Sequence, residues 1–165
     1  MTAGPQRQSR AGPPAARQTA PGRLRTLTRR EVRLLGLALA EILRARAGLT
    51  LHRHAALRAR IARLASEAAP APPARAALAE VGWSVAAAAR AVPGASCLTQ
   101  ALAGQALLAR RGIGSRIEVS LPDGAGGFRP HAWLIAGEVV ILGGTAADRA
   151  GHRLLATYAV EGAQG

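Results

Sequence analysis

Lysine is missing altogether. All 22 basic residues are Arg, set against nine acids for a formal charge of +13, so part of the basicity is a compositional bias shared with Ala, Gly and Pro. The excess is also uneven. Residues 1–30 hold seven Arg and no acid, residues 31–90 nine Arg and four acids, and residues 91–165 six Arg and five acids. An Arg-rich front half suits an acidic partner, whether peptide, RNA or membrane surface. Aromatic side chains are scarce too: two Trp, one Tyr and one Phe leave few carriers for stacking on bases, which argues against specific nucleic-acid binding. A single cysteine excludes an internal disulfide, and no Cys/His cluster has the spacing of a zinc site, which accords with a reducing, cytoplasmic compartment. The first 30 residues lack the apolar centre of a signal peptide. The one apolar run near the front, Leu34–Leu43, contains Glu41 and is bracketed by Arg33, Arg44 and Arg46, too short and too charged for a transmembrane segment.

What is present suffices for one compact domain: 165 residues, 49% of them apolar and mostly Ala and Leu, can bury an ordinary core. Met1 to about Pro21 has almost nothing to bury and reads as disordered. This gives a tail over 1–23, a helical subdomain over 24–92 and a second subdomain over 93–165. Thr28 and Glu31 form a capping box, and Val32, Leu35, Leu39, Ile42 and Leu43 then mark a helix over about 29–47, ended by Gly48. A second helix, about 51–68, carries Leu57, Ile61 and Leu64 among Arg58, Arg60 and Arg63. It breaks at Pro70–Pro73, and a third runs over about 73–91 with Leu78, Val81, Val85 and Ala89. After the Pro93-Gly94 turn, Ser96 caps a helix that runs to Arg111 and stops at Gly112. Short alternating segments follow at 116–121, 130–136, 139–142 and 154–160, so the chain reads as an α+β domain with an antiparallel sheet.

The chemistry centres on Cys97, the first residue of the helix after Ser96. A thiol there faces unpaired N–H groups and the positive end of the helix dipole, surroundings that favour thiolate, and the same N–H groups suit an oxyanion. A lone cysteine is also a common small core residue. His131, at the start of a strand and followed by Ala132-Trp133, completes a Cys–His pair in which imidazole takes the thiol proton and returns it to the leaving amine. Trp133 and Trp83 read as core. His52 and His54 fall on an exposed Arg-rich helix, His152 has no partner that the sequence names, and the Arg110-Arg111 pair suits a helix C-terminus.

Three stretches taken together, Cys97-Leu98-Thr99-Gln100-Ala101-Leu102, Leu107-Leu108-Ala109-Arg110-Arg111-Gly112-Ile113 and Phe128-Arg129-Pro130-His131-Ala132-Trp133, resemble the leader peptidase of lasso-peptide biosynthesis, a bacterial member of the transglutaminase-like superfamily. The similarity covers about residues 93–144; the helical front shares only the family's general character. It implies a papain/transglutaminase-like core, with the Cys-bearing helix packed on an antiparallel sheet. It also implies removal of the leader from a ribosomally made precursor peptide, after which an ATP-dependent cyclase joins the new amino terminus to an acidic side chain. The short chain implies the stand-alone form, with leader recognition by a separate small protein and no metal, nucleotide or other cofactor in the peptidase.

The third member of a catalytic triad departs from that family. A hairpin turning at Gly137 puts a residue near 143 opposite His131, where an acid is expected and Gly143 stands. Glu138 lies about five residues along the strand, roughly 16 Å away. Asp148 is the acid that can fold back, and Thr145 or a backbone carbonyl are the other groups able to orient the ring. Rival readings are an acyl transferase on the same scaffold, a non-enzymatic Arg-rich binding module, and an inactive homologue.

Overall fold

The computed structural model describes residues 27–123 and 129–162. The tail over 1–23 and Phe128 lie outside the described residues. The first helix, α1 (Arg29–Thr50), opens as its sequence dictates: Thr28 Oγ1 accepts from the Glu31 N–H at 3.2 Å, and Glu31 Oε2 accepts from the Thr28 N–H at 2.8 Å. The buried face is rotated from the one hydropathy suggests. Leu34, Ala38, Glu41, Ile42 and Ala45 face inward, while Val32, Leu39 and Leu43 are exposed. Small residues admit close neighbours, so fit against the other helices outweighs side-chain size. Gly48 does not end α1. A Cβ there would stand 2.5 Å from Leu57 Cδ1, so the glycine admits the next helix. The chain turns instead at His52, which adopts φ +54°. Helix α2 (His54–Glu67) therefore begins later than expected, and α3 (Arg75–Ala89) follows the prolines. Trp83, expected in the core, is 42% exposed on α3.

Helix α4 (Cys97–Ala109) is the centre of the molecule. Thr99 and every residue from Ala101 to Ala109 are buried, which is why its sequence is apolar all round. Helices α1, α2 and α3 pack on it from one side and the sheet from the other. The sheet is antiparallel in the order β3-β2-β1-β4, from β1 (Ser115–Pro122), β2 (His131–Ala136), β3 (Val139–Leu142) and β4 (His152–Val160). The architecture is thus α+β with the Cys97 helix on the sheet, as the sequence implied. One buried cluster runs from Ala38 through the helices to Leu142, so the helical layer and the sheet share a core. A short helix that the sequence did not announce, α5 (Ala146–Ala150), lies in the connection between the two edge strands. Among the described residues no helix is long and apolar enough to cross a membrane.

Glu41 is the charged exception inside this core, at 2% exposure. Arg60 donates to its two oxygens at 2.7 and 2.8 Å and Arg110 donates at 3.0 Å, tying α1 to α2 and to the end of α4. Burial alone would raise the carboxyl's pKa, but the hydrogen bonds from Arg60 and Arg110 outweigh it and hold the pKa below the ordinary carboxylate range. The stabilisation is therefore present at neutral pH and is lost as the pH falls through the depressed value. Glu41→Gln leaves the arginines without their anion and is expected to cost about 3–5 kcal/mol in urea unfolding at pH 7. The gap from the parent chain should close below the ordinary carboxylate range.

Candidate active site

One contact sets the height of the helix against the sheet. A Cβ on Gly104 would stand 2.5 Å from Leu134 Cδ2 and 3.0 Å from Leu142 Cδ1, so α4 lies directly on β2 and β3 at that point. Back along α4 from Gly104 to Cys97 is about 10 Å at 1.5 Å per residue. Back along β2 from Leu134 to His131 is also about 10 Å at 3.3 Å per residue. Both steps lead to the same end of the layer, because Gln105, next along α4, donates to the Ser115 carbonyl at the start of β1, which runs antiparallel to β2. Cys97 thus opens α4 and His131 opens β2, two elements in direct contact. Cys97, Ala101 and Gly104, at i, i+4 and i+7, form the stripe of α4 that faces the sheet.

Cys97 is half-buried and free. Ser96 Oγ accepts from the Thr99 N–H at 3.2 Å and the Ser96 carbonyl from the Gln100 N–H at 3.0 Å. The N–H groups of Cys97 and Leu98, at the first two helical positions, precede any intrahelical acceptor and point out of the helix start. Among the described residues no hydrogen bond joins Cys97 to His131. Alternation along β2 turns Ala132, Leu134 and Ala136 to α4, while His131 shares the opposite face with Trp133.

His131 is held by a backbone atom. Its Nε2 lies 2.6 Å from the Gly143 carbonyl oxygen. A carbonyl only accepts, so Nε2 carries the proton, and in the neutral ring the lone pair sits on Nδ1. The Trp133 ring lies edge-on to the imidazole with centroids 4.7 Å apart, and its Nε1–H donates to Ser120 Oγ at 2.8 Å. The same hydroxyl bonds His152 Nδ1 at 3.2 Å, placing the His152 ring 5.4 Å from Trp133 and 6.0 Å from His131. Ser120 stands directly across from His131 on β1.

The β2–β3 hairpin differs from the expected register. Its turn comprises Gly137 and Glu138, pairing Ala136 with Val139, and a bulge then pairs Leu134 with Leu142. The bulge brings the Gly143 carbonyl, rather than a side chain, to the imidazole. At Gly143 φ is +108°, and a Cβ would stand 2.8 Å from the Ala132 carbonyl and 2.9 Å from the Trp133 ring, so only glycine fits. Asp148 is not the ring's partner. Its Oδ2 accepts from the Thr145 N–H at 2.8 Å and from Thr145 Oγ1 at 2.7 Å, capping α5. Those two bonds, with a smaller contribution from the His152 charge, hold the exposed Asp148 carboxyl below its ordinary pKa. It closes the connection that carries Gly143. Arg149 pins the same connection to the sheet through Glu118 Oε2 at 2.6 Å. Burial tends to raise the Glu118 carboxyl, and hydrogen bonds from Arg116 and Arg149 more than offset this.

Sequence reasoning missed Ser120 and His152. The signal for them was the alternation of β1, which sets Ser120 on one face with Glu118. The Arg110-Arg111 pair does more than meet a helix end: Arg110 reaches Glu41, and Arg111 reaches the Ala77 carbonyl and Glu80.

Residues 39–157, from within α1 to within β4, match the model of the transglutaminase-like superfamily. Neither the comparison with curated proteins nor that with solved structures gave a match. Because no side chain fits at position 143, restoring the acid there does not rebuild a triad. Gly143→Asp is expected to cost at least about 1–3 kcal/mol of stability, seen as a lower Tm, and to withdraw the carbonyl from His131, seen as a changed imidazole 15N tautomer pattern.

Proposed function

The chain belongs to the transglutaminase-like superfamily, and from that premise we propose that it is a cysteine peptidase that removes the leader from a ribosomally made lasso-peptide precursor. Members of the superfamily are usually Cys–His hydrolases or transferases. The observation that carries the reading is the tether of His131 Nε2 to the Gly143 carbonyl, which leaves Nδ1 free to serve as the base.

In the reaction so read, Nδ1 takes the Cys97 proton and the thiolate attacks the scissile carbonyl. The resulting oxyanion lies against the N–H groups of Cys97 and Leu98. The C–N bond breaks, the imidazolium gives its proton to the leaving amine, and a thioester remains on Cys97. Water then attacks the thioester with His131 again as base, the C–S bond breaks, and the leader departs as a carboxylic acid. The Gly143 carbonyl orients the ring as a carboxylate would, but carries no full charge. Cys97 stands on the helix side of the sheet and the His131 side chain on its other face at the very start of β2, so the reading requires the imidazole to reach the thiol around the strand end when substrate binds; catalytic hydrogen bonds commonly tighten only in the Michaelis complex. A separate recognition protein presents the precursor and an ATP-dependent cyclase consumes the product, as the resemblance implies.

The test is incubation of the full chain with a recognition protein and a precursor, read by mass spectrometry. The expected products are an intact core peptide with a free amino terminus and a leader with a free carboxylate. Cys97→Ala is expected to reduce release to background and His131→Ala to lower it by about 10²–10⁴-fold. Release that persists in Cys97→Ala sinks the mechanism, and transfer of the leader to an added amine instead of water reassigns the chain as a transferase.

A further inference from the structure

Beside the stripe of α4 that carries Cys97 runs a second one, Leu98, Leu102 and Gln105, turned from it by about 100°, the angle of one helical residue. It faces a cavity of about 160 Å³ between α4, α2 and the sheet, walled by Leu57, Leu98, Leu102 and Ile117. Tyr158 closes it on the side of β4, with the Arg58 guanidinium 5.4 Å above the ring. Gln105 seals its far end, donating to the Ser115 and Tyr158 carbonyls at 3.3 and 3.2 Å. The polar groups of the far end are thus satisfied internally, and what is left open to a ligand is mostly apolar, with the His54 imidazole and the Arg58 guanidinium also in the lining.

We propose that this cavity is the specificity pocket of the enzyme, receiving one large apolar side chain, of the size of Leu, Ile, Met or Phe, from a substrate residue within two positions of the scissile bond. The proposal rests on the peptidase reading above. Three observations select this occupant. The pocket begins at the residue that follows the nucleophile, so an extended peptide lying over Cys97, advancing about 3.3–3.6 Å per residue, passes its mouth within one or two residues. Its volume is several times that of a water molecule and its walls are aliphatic, so a small or polar side chain leaves it unfilled or unsatisfied. Arg58 at the rim repels a basic side chain and accepts an acidic neighbour.

The experiment is cleavage profiling by mass spectrometry of the full chain, with the recognition protein, on a library of the precursor randomised within two residues of the cut. A fixed position within two residues of the cut is expected to favour Leu, Ile, Met or Phe over Ala by about 10–200-fold. Leu102→Phe, which fills the cavity, is expected to lower kcat/KM for the large-residue peptides about tenfold or more while leaving Ala peptides within about twofold, with Tm measured alongside. Tyr158→Ala, which opens the pocket on the side of β4 from an exposed position, should weaken the same preference and guards against a folding defect in the first variant. Peptides cut with no such preference, or a preference unmoved in both folded variants, overturn the pocket and leave the peptidase reading standing. If no peptide is cut, the peptidase reading is the one that fails. The pocket is then read directly with N-acetyl-leucinamide, expected to shift the backbone resonances of Leu102 and Tyr158 in the parent chain but not in Leu102→Phe. No shift in the parent chain overturns the proposal.

Discussion

The contact of α4 with β2 and β3 at Gly104 is the constraint from which the remainder follows. The missing side chain lets the helix settle on Leu134 and Leu142, and a helix so close to the sheet, with three others behind it, is buried on every side. The same contact fixes the vertical alignment of two elements distant in sequence. The contact sets where the start of α4, with Cys97, and the start of β2, with His131, lie relative to one another.

A second constraint is electrostatic. Where nearly all positive charge is guanidinium, each acid is a scarce partner: Glu41 serves three arginines, Arg44, Arg60 and Arg110, and Glu118 serves two. Glu41 joins α1 to α2 and to the end of α4. Glu118, on the far face of the sheet, secures the connection through α5 that packs Gly143 and Gly144 against Trp133. Planar guanidinium groups suit such shared carboxylates better than ammonium groups, since each presents several donors in fixed directions.

Local signals in the sequence were legible and long-range fit was not. Thr28 with Glu31, and Ser96 before Cys97, name their helix starts because a cap is a matter of three or four neighbouring residues. The α+β order was likewise readable, since it depends on period and spacing. The buried face of α1 was misjudged because Ala38 and Ala45 win their places by admitting neighbours, which hydropathy does not record. The hairpin register slipped because a bulge between Leu134 and Ile135 leaves no mark in composition. Asp148 was singled out because it follows β3 and could fold back to the ring, whereas Thr145, three residues earlier, was the sign that it caps a helix.

The partner of the His131 ring is a main-chain oxygen at a position where only glycine fits. Such a contact belongs to no side chain, so a comparison that looks for a conserved acid scores the chain as incomplete. The information that orients the ring is held in the path of the backbone, in a bulge, a glycine and a capped turn. An imidazole ring can thus be held in one orientation with no acid beside it.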